Sequence, residues 1–324
     1  MDPRILLDQL TADRFVSGTD LARRLRVTRA AVWKQVQALR ELGAPIEAEA
    51  GRGYRLGWPI EWLDARSIAA ALTPEQRKRV GTVAVHWQID STNSELLRRA
   101  AHEPAVLLAC CAETQSAGRG RRGREWRSPL GGNLYFSVLR RFDRGMAALT
   151  GLSLAAGTAV VAALTDCGVG EVGLKWPNDV LARGRKLAGV LIELGGEFLG
   201  PSHAVIGIGI NLRLPASIVA EIDQPAIDVA MLTSSDVPSR NRLAGALLAR
   251  LIDALDCFAE RGFEPFRADY DRFDLLRGTS VRVHDARGAH DGVATGIDAR
   301  GALCVRHGEH VAAYDSADVS VRAQ

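Results

Sequence analysis

The 324-residue chain is cut early by Gly57-Trp58-Pro59, which breaks any continuing element, and three short helical patterns occupy its first 43 residues. Before the break the spacing is helical. Pro3 to Leu10 makes one short helix, and Ser17-Gly18-Thr19-Asp20 opens a second that stops near Leu25, with Ser17 placed to accept a free amide and Asp20 suited to the positive helix end. Thr28 caps a third helix running to Leu42, and Gly43 is placed to take a left-handed terminating conformation. Val32, Val36 and Leu39 recur at i, i+4 and i+7 on that helix, so they face inward and leave Arg29, Trp33, Lys34 and Gln37 outside.

From Arg23 to Lys34 there are five cations and no acid. Two helices joined by a tight turn, with a basic face on the second, are the pattern of a helix-turn-helix that lays Thr28, Arg29, Trp33, Lys34 and Gln37 in a DNA groove. Ile46 to Leu56, folded at Gly51-Arg52-Gly53, then supplies a hairpin wing whose Arg52 and Arg55 can touch phosphate. The alternative is a small helical domain for protein contacts with a solvated basic face. Net charge of +3 is too mild to identify nucleic acid from bulk charge, so the local face carries the reading. Five scattered cysteines without a Cys-x-x-Cys pair fit a reducing, cytoplasmic compartment. The N-terminus has no basic-then-apolar signal region, and the uncharged run Gly145 to Thr165, broken by glycine, serine and threonine, reads as a buried helix and not a membrane span.

Three stretches beyond the break bear chemistry. A strand, Val83 to Ile89, ends in Asp90-Ser91-Thr92-Asn93 and feeds a helix, a junction that can bind a small polar group or simply cap the helix. A second strand, Ala105 to Ala112, leads through Gln115 into Gly118-Arg119-Gly120-Arg121-Arg122-Gly123-Arg124-Glu125-Trp126. Glycines there let backbone amides approach an anion, and four arginines offer forks matched to phosphate oxygens. The loop is expected to be mobile when empty; the alternative is a solvated or RNA-binding Arg-Gly segment. The third stretch is Lys175-Trp176-Pro177-Asn178-Asp179 followed by Lys186-Leu187-Ala188-Gly189. Lys186 opens a buried strand, so its ammonium either reaches the rim or pairs with a bound anion. In Val205-Ile206-Gly207-Ile208-Gly209-Ile210-Asn211 alternating glycines bare one strand face, on which something flat can lie or another strand can cross tightly.

Taken in order, Ser91-Thr92-Asn93, Gly118 to Gly123, Lys175 to Asp179, Lys186 to Gly189 and Gly207 to Asn211 make the chain resemble, along its full length, the bifunctional biotin protein ligases that also act as biotin operon repressors. The resemblance implies an α+β protein of three parts: a winged helix-turn-helix over 1–63, a central mixed α/β ligase domain over 64–274 and an SH3-like small β-barrel over 275–324, where short strands alternate with turns such as Ala286-Arg287-Gly288 and Asp298-Ala299-Arg300-Gly301. It implies that biotin and MgATP form biotinyl-5'-AMP and that a lysine of a biotin carboxyl carrier protein takes the biotinyl group. By this resemblance Lys186 and Arg121 are the catalytic cations, Asp179 orients or accepts a proton, and Ser91, Thr92, Asn93, Gln115, Gly118, Arg119, Gly120, Arg121, Lys186, Gly207 and Gly209 bind biotin or adenylate. Arg122, Arg124, Trp126, Asn178 and Asn211 are assigned to the ATP side, and Mg2+ arrives without a protein-only site. The same resemblance implies operator DNA as a partner and a homodimer in the adenylate-bound state. One departure concerns adenine: residues 221–231 contain no tryptophan to pack on it, Ile227 is expected to supply some apolar contact only, and ligand-linked ordering of that loop is expected to be weaker. A lipoate-type acyl ligase and a non-catalytic biotin-sensing regulator are the rival readings.

Overall fold

The computed structural model describes residues 2–234, 236–285, 288–315 and 320–323. Helices α1 (Pro3–Leu7), α2 (Gly18–Leu25) and α3 (Arg29–Glu41) precede a hairpin of β1 (Ile46–Glu49) and β2 (Gly53–Leu56). The second and third helices begin as the spacing predicts: Ser17 Oγ accepts from Asp20 N and Thr28 Oγ1 from Ala31 N. Arg26 turns left-handed to end α2, and Gly43 has φ +79° beyond α3. The first helix is shorter than its sequence suggests, because turn-type bonds carry the chain from Asp8 to Leu10. Val32, Val36 and Leu39 are buried with Leu6, Leu7 and Leu21 in a small core of their own.

The central part runs α4 (Ala65–Ala70), α5 (Pro74–Arg79), β3 (Val80–Ile89), α6 (Thr92–Ala100), β4 (Leu107–Gln115), β5 (Leu134–Phe142), α7 (Leu152–Asp166), β6 (Val172–Lys175), β7 (Asp179–Ala182), β8 (Arg185–Gly196), β9 (Ser202–Ile210), α8 (Ala216–Glu221), α9 (Val229–Leu232), α10 (Arg240–Arg261) and α11 (Arg267–Phe273). Seven strands form one mixed sheet in the order β3-β4-β5-β9-β8-β7-β6, parallel only between β3 and β4. Helices α7 and α10 pack together on one face of it. The uncharged run expected to be a helix from Gly145 begins with a tight turn, and the helix starts only at Leu152, after Gly151 with φ +84°. It is buried on nearly every side, which explains its lack of charge. Among the described residues no helix is long and apolar enough to cross a membrane.

The last strands, β10 (Ser280–Asp285), β11 (Gly288–Ile297), β12 (Leu303–His307), β13 (His310–Tyr314) and β14 (Ser320–Ala323), make an antiparallel sheet in the order β13-β12-β11-β10-β14, consistent with an SH3-like domain. The expected turn at Ala286-Arg287 lies outside the described residues. These strands share one continuous apolar core with the large sheet, and Trp176 Nε1 donates to Gly301 O at 3.0 Å across the junction. The first module docks elsewhere: Leu130 joins its core and donates its amide to Leu42 O at 2.8 Å, while Trp62 packs at a tilt against Trp87 with centroids 5.2 Å apart.

Candidate functional site

Two clusters of side chains meet on the large sheet. The first lies where β3 ends and α6 begins. Ser91 occupies the cap position of α6 without making a side-chain cap bond, so capping does not account for it. Ser91, Thr92 and Asn93 are all buried, and the polar groups of the latter two turn inward. Gln115 Oε1 accepts from Thr92 N at 2.9 Å and from Thr92 Oγ1 at 3.1 Å, and Gln115 Nε2 donates to Ser128 Oγ at 3.2 Å. Ser137, in mid-β5 and fully buried, has its hydroxyl 2.7 Å from Thr92 Oγ1 and 2.6 Å from Asn93 Oδ1. Asn93 Nδ2 donates to Glu193 at 2.7 Å, and Glu193 also pairs with Arg119 at 3.2 Å. Ser137 and Glu193 had no role in the sequence reading. A lone serine inside Leu-Tyr-Phe-Ser-Val-Leu was the available signal for the first, and an acid within an apolar strand for the second.

The second cluster sits across the starts of β7 and β8. Lys186 Nζ approaches Asp179 Oδ1 at 2.7 Å, both side chains being less than one-fifth exposed. The sequence places that ammonium at the rim or on a bound anion; in this structure its counter-ion is the neighbouring carboxylate. The approach is an ion-pair contact and not an aligned bond, because Asp179 Oδ1 has no hydrogen-bond partner. Arg121 Nη1 donates to Asn178 Oδ1 at 3.3 Å, and Asn178 Nδ2 donates to Val190 O at 2.9 Å. Burial, and then the nearby Arg122 charge, lower the pKa of Arg121. A half-buried cation in that setting favours an approaching anion.

Trp126 joins the clusters. Its ring lies 5.5 Å from Lys186 Nζ and rests on the bare strand face, where a Cβ on Gly209 would stand 2.4 Å from the indole. A Cβ on Gly207 would stand 2.3 Å from Asn93 Oδ1. The bare strand face expected to floor a ligand pocket is therefore covered in this structure by Trp126 over Gly209 and Asn93 over Gly207. The Arg-Gly loop is also less open than expected. Gly120 N donates to Arg124 O at 2.7 Å and Trp126 N to Gly118 O at 3.0 Å, folding residues 118–126 into a small hairpin. Gly118 is needed because a Cβ there would meet Trp126 O at 2.7 Å, and Gly123 because its φ is +70°. Arg119 is matched by Glu193, so the loop does not carry four uncompensated charges. Arg122 and Arg124 lie on its exposed side.

Two assignments fall outside these clusters. Asn211 donates to Lys186 O at 3.3 Å and Ile227 O at 3.2 Å, tying the segment before α9 to the edge of β8. Ile227 is 1% exposed and belongs to the core, so it is not available to pack on an adenine ring. Among the described residues no group of three or more His, Cys, Asp or Glu side chains could hold a metal ion.

On the first module, Arg29 and Lys34 are exposed, Trp33 is 59% exposed and Gln37 is half-buried. The wing arginines are more constrained than expected. Arg52 and Arg55 both stack on Phe15, at 4.3 and 4.8 Å, and pair with Glu49 and Glu47 at 2.7 and 2.6 Å. Phosphate contact by either requires exchange of a partner already in place.

Residues 85–211 match the biotin/lipoate A/B protein ligase family, and residues 5–55 match an HTH domain. The chain is 36% identical over 324 residues to the bifunctional ligase/repressor BirA of Salmonella typhimurium, covering 99% of this chain and 98% of that one. It is 39% identical over 242 residues to the biotin--[acetyl-CoA-carboxylase] ligase of Mycobacterium tuberculosis, covering 72% and 86%. The solved structure of the biotin protein ligase from Aquifex aeolicus in complex with biotin and ATP superposes with a TM-score of 0.62 at 27% identity, covering 76% of this chain and 99% of that one.

Proposed function

Given that this chain belongs to the biotin/lipoate A/B protein ligase family, as one of its bifunctional ligase/repressors, we propose that its central domain joins biotin to the AMP part of ATP and passes the biotinyl group to a lysine of a biotin carboxyl carrier protein. In the first step a biotin carboxylate oxygen bonds to the α-phosphorus and pyrophosphate leaves. In the second the neutral lysine amine attacks the acyl carbon, AMP leaves, and the amine loses a proton as the amide forms. The observation that carries this reading is the convergence of Lys186 and Arg121 on the Asp179–Asn178 strand end beneath Trp126. Preorganised cations at that place stabilise charge that shifts during attack on phosphorus. Lys186 exchanges Asp179 for the α-phosphate oxygens, and Asp179 then becomes available to orient the carrier amine. Mg2+ bound to the triphosphate would supply neutralisation of phosphate charge beside Lys186 and Arg121. Ser91, Thr92, Asn93 and Gln115 bind the polar ring of biotin, and the Arg-Gly hairpin covers the adenylate and keeps water from it.

Intact mass of a purified carrier domain after incubation with this protein, biotin and MgATP tests the reading. A single biotinyl addition, absent when lipoate replaces biotin, is the expected result. Biotin binding without pyrophosphate release or transfer would make the protein a sensor that lacks catalysis.

In the repressor role the bound adenylate favours a homodimer, and the paired α3 helices read two half-sites. Operator affinity is expected to rise when biotin and ATP are both present. Arg29→Ala should weaken binding at every sequence tested and lower the salt dependence by about one phosphate per subunit. Titration of fluorescent operator DNA at several salt concentrations measures both; unchanged affinity and slope would remove Arg29 from the interface.

A further inference from the structure

Only four of the 41 basic residues are lysines: Lys34, Lys78, Lys175 and Lys186. The chain as a whole favours arginine, so the count decides nothing until it is set against place. Residues 118–127 carry five arginines and no lysine, and two of those arginines bracket the site. Arg119 reaches the first cluster, donating to Ser94 Oγ at 2.9 Å and pairing with Glu193 at 3.2 Å, and Arg121 reaches the second, donating to Asn178 Oδ1 at 3.3 Å. An adenylate with its polar ring at the first cluster and its phosphate at the second has the acyl–phosphate linkage between them. The two guanidinium groups then flank the acyl carbon.

Phosphate binding alone does not select arginine, since an ammonium is a common phosphate ligand as a point charge. Reactivity does. A mixed anhydride is attacked by any primary amine in reach, and an amine fixed beside it acts at a very high effective concentration. A guanidinium stays protonated and delocalised and offers no such lone pair. Of the lysines, Lys186 is engaged by Asp179 at 2.7 Å under Trp126, Lys175 is half-buried at the end of β6, and Lys34 and Lys78 are exposed on α3 and α5. We infer that Arg119 and Arg121 are specificity-determining residues by virtue of being arginine: they hold the adenylate while placing no amine beside the activated acyl carbon, which reserves transfer for the lysine of the carrier. The inference rests on the proposed biotin reading and deepens it. Self-acylation is the reaction excluded. In it an amine lone pair would attack the acyl carbon, the carbon–oxygen bond to phosphate would break, AMP would leave and the amine proton would pass to water, with biotin left covalently in the site.

Intact mass and peptide mapping of the full chain, incubated with biotinyl-5'-AMP and no carrier, test this, with adenylate binding read by calorimetry. Supplying the adenylate bypasses any loss in the first step. Wild-type protein should gain biotin only slowly, at Lys34 and Lys78. Arg119→Lys and Arg121→Lys should each gain one biotinyl group at the substituted position, at least about a hundredfold faster than the surface lysines and at a rate independent of protein concentration. Arg119→Gln and Arg121→Gln lose the same charge without gaining an amine, and should show only the surface pattern however much adenylate they release. A lysine variant that binds the adenylate and shows no more than that pattern removes its arginine from the assignment, and the same result at both overturns the inference. Loss of adenylate binding by both lysine variants overturns it too, because arginine would then be required for its forked geometry and not for its inertness. If wild-type protein fails to biotinylate a carrier domain in parallel, the proposed function fails first; carrier labelling alongside inert lysine variants sinks this inference alone.

Discussion

Lys186→Ala is expected to lower kcat/KM for biotinylation by about 100- to 1000-fold, the usual loss when a preorganised group that stabilises transition-state charge is removed. The expectation follows from placement. Lys186 is the ammonium under Trp126, its carboxylate partner is a contact ion without an aligned bond, and Gly189 leaves the space beside it, where a Cβ would come within 3.2 Å of the Lys186 stem. A partner held this way is readily exchanged for phosphate oxygens. The loss should fall on adenylation, read as biotin-dependent pyrophosphate release, while transfer from preformed adenylate suffers less. Lys186→Arg is not expected to rescue, because the broader guanidinium meets the indole and the Gly189 backbone. Retention of more than about a tenth of wild-type activity by Lys186→Ala would assign the catalytic charge to Arg121 instead.

Arg240→Ala is expected to cost about 3 to 5 kcal/mol of stability, the range for leaving one member of a buried ion pair without the other. Arg240 and Glu113 are 6% and 2% exposed and meet at 2.6 Å. Around that contact Glu113 accepts from Leu63 N at 2.6 Å, and Arg240 donates to Glu61 O and Asn133 O, each at 2.8 Å. The pair therefore fastens the start of α10, the strand β4 and the connector that follows the winged module. Urea-induced unfolding followed by circular dichroism measures the loss. Replacing both partners by apolar residues, as Arg240→Met with Glu113→Leu, should recover part of it but not all, because Leu63 N then lacks its acceptor. A loss below about 1 kcal/mol would mean that water reaches the freed carboxylate.

Much of the winged module was legible in the sequence because its determinants are local. A serine or threonine three residues before a free amide, a glycine after the last turn and an i, i+4, i+7 apolar series each act within one helix, and the caps at Ser17 and Thr28 and the buried Val32, Val36 and Leu39 follow from them. Motif chemistry was legible for the same reason at the Arg-Gly loop and at Lys186, where residue type alone restricts the partners a group can tolerate. What those residues face was not legible. Lys186 and Asp179 come together because β7 and β8 are antiparallel neighbours, and Trp126 reaches the bare strand face because residues 118–126 fold back as a hairpin. Ile227 looked available for a ligand and is instead core, since Asn211 and the Lys186 backbone fasten its segment to the sheet.

The sequence by itself determined the order of the elements, the break at residues 57–59, the charge of the α3 face and the chemical classes that gather in the site. Only the tertiary structure decided that Glu193 lies against Asn93 and Arg119, that Ser137 joins their line, and that Pro129 and Leu130, just past the Arg-Gly loop, dock against Gly43 and Leu42 at the end of α3. The physical reason is range. Propensity, capping and periodicity act over a few residues, whereas hydrogen bonding and ion pairing depend on groups that sheet registry brings together from 44 and 100 residues apart in the chain.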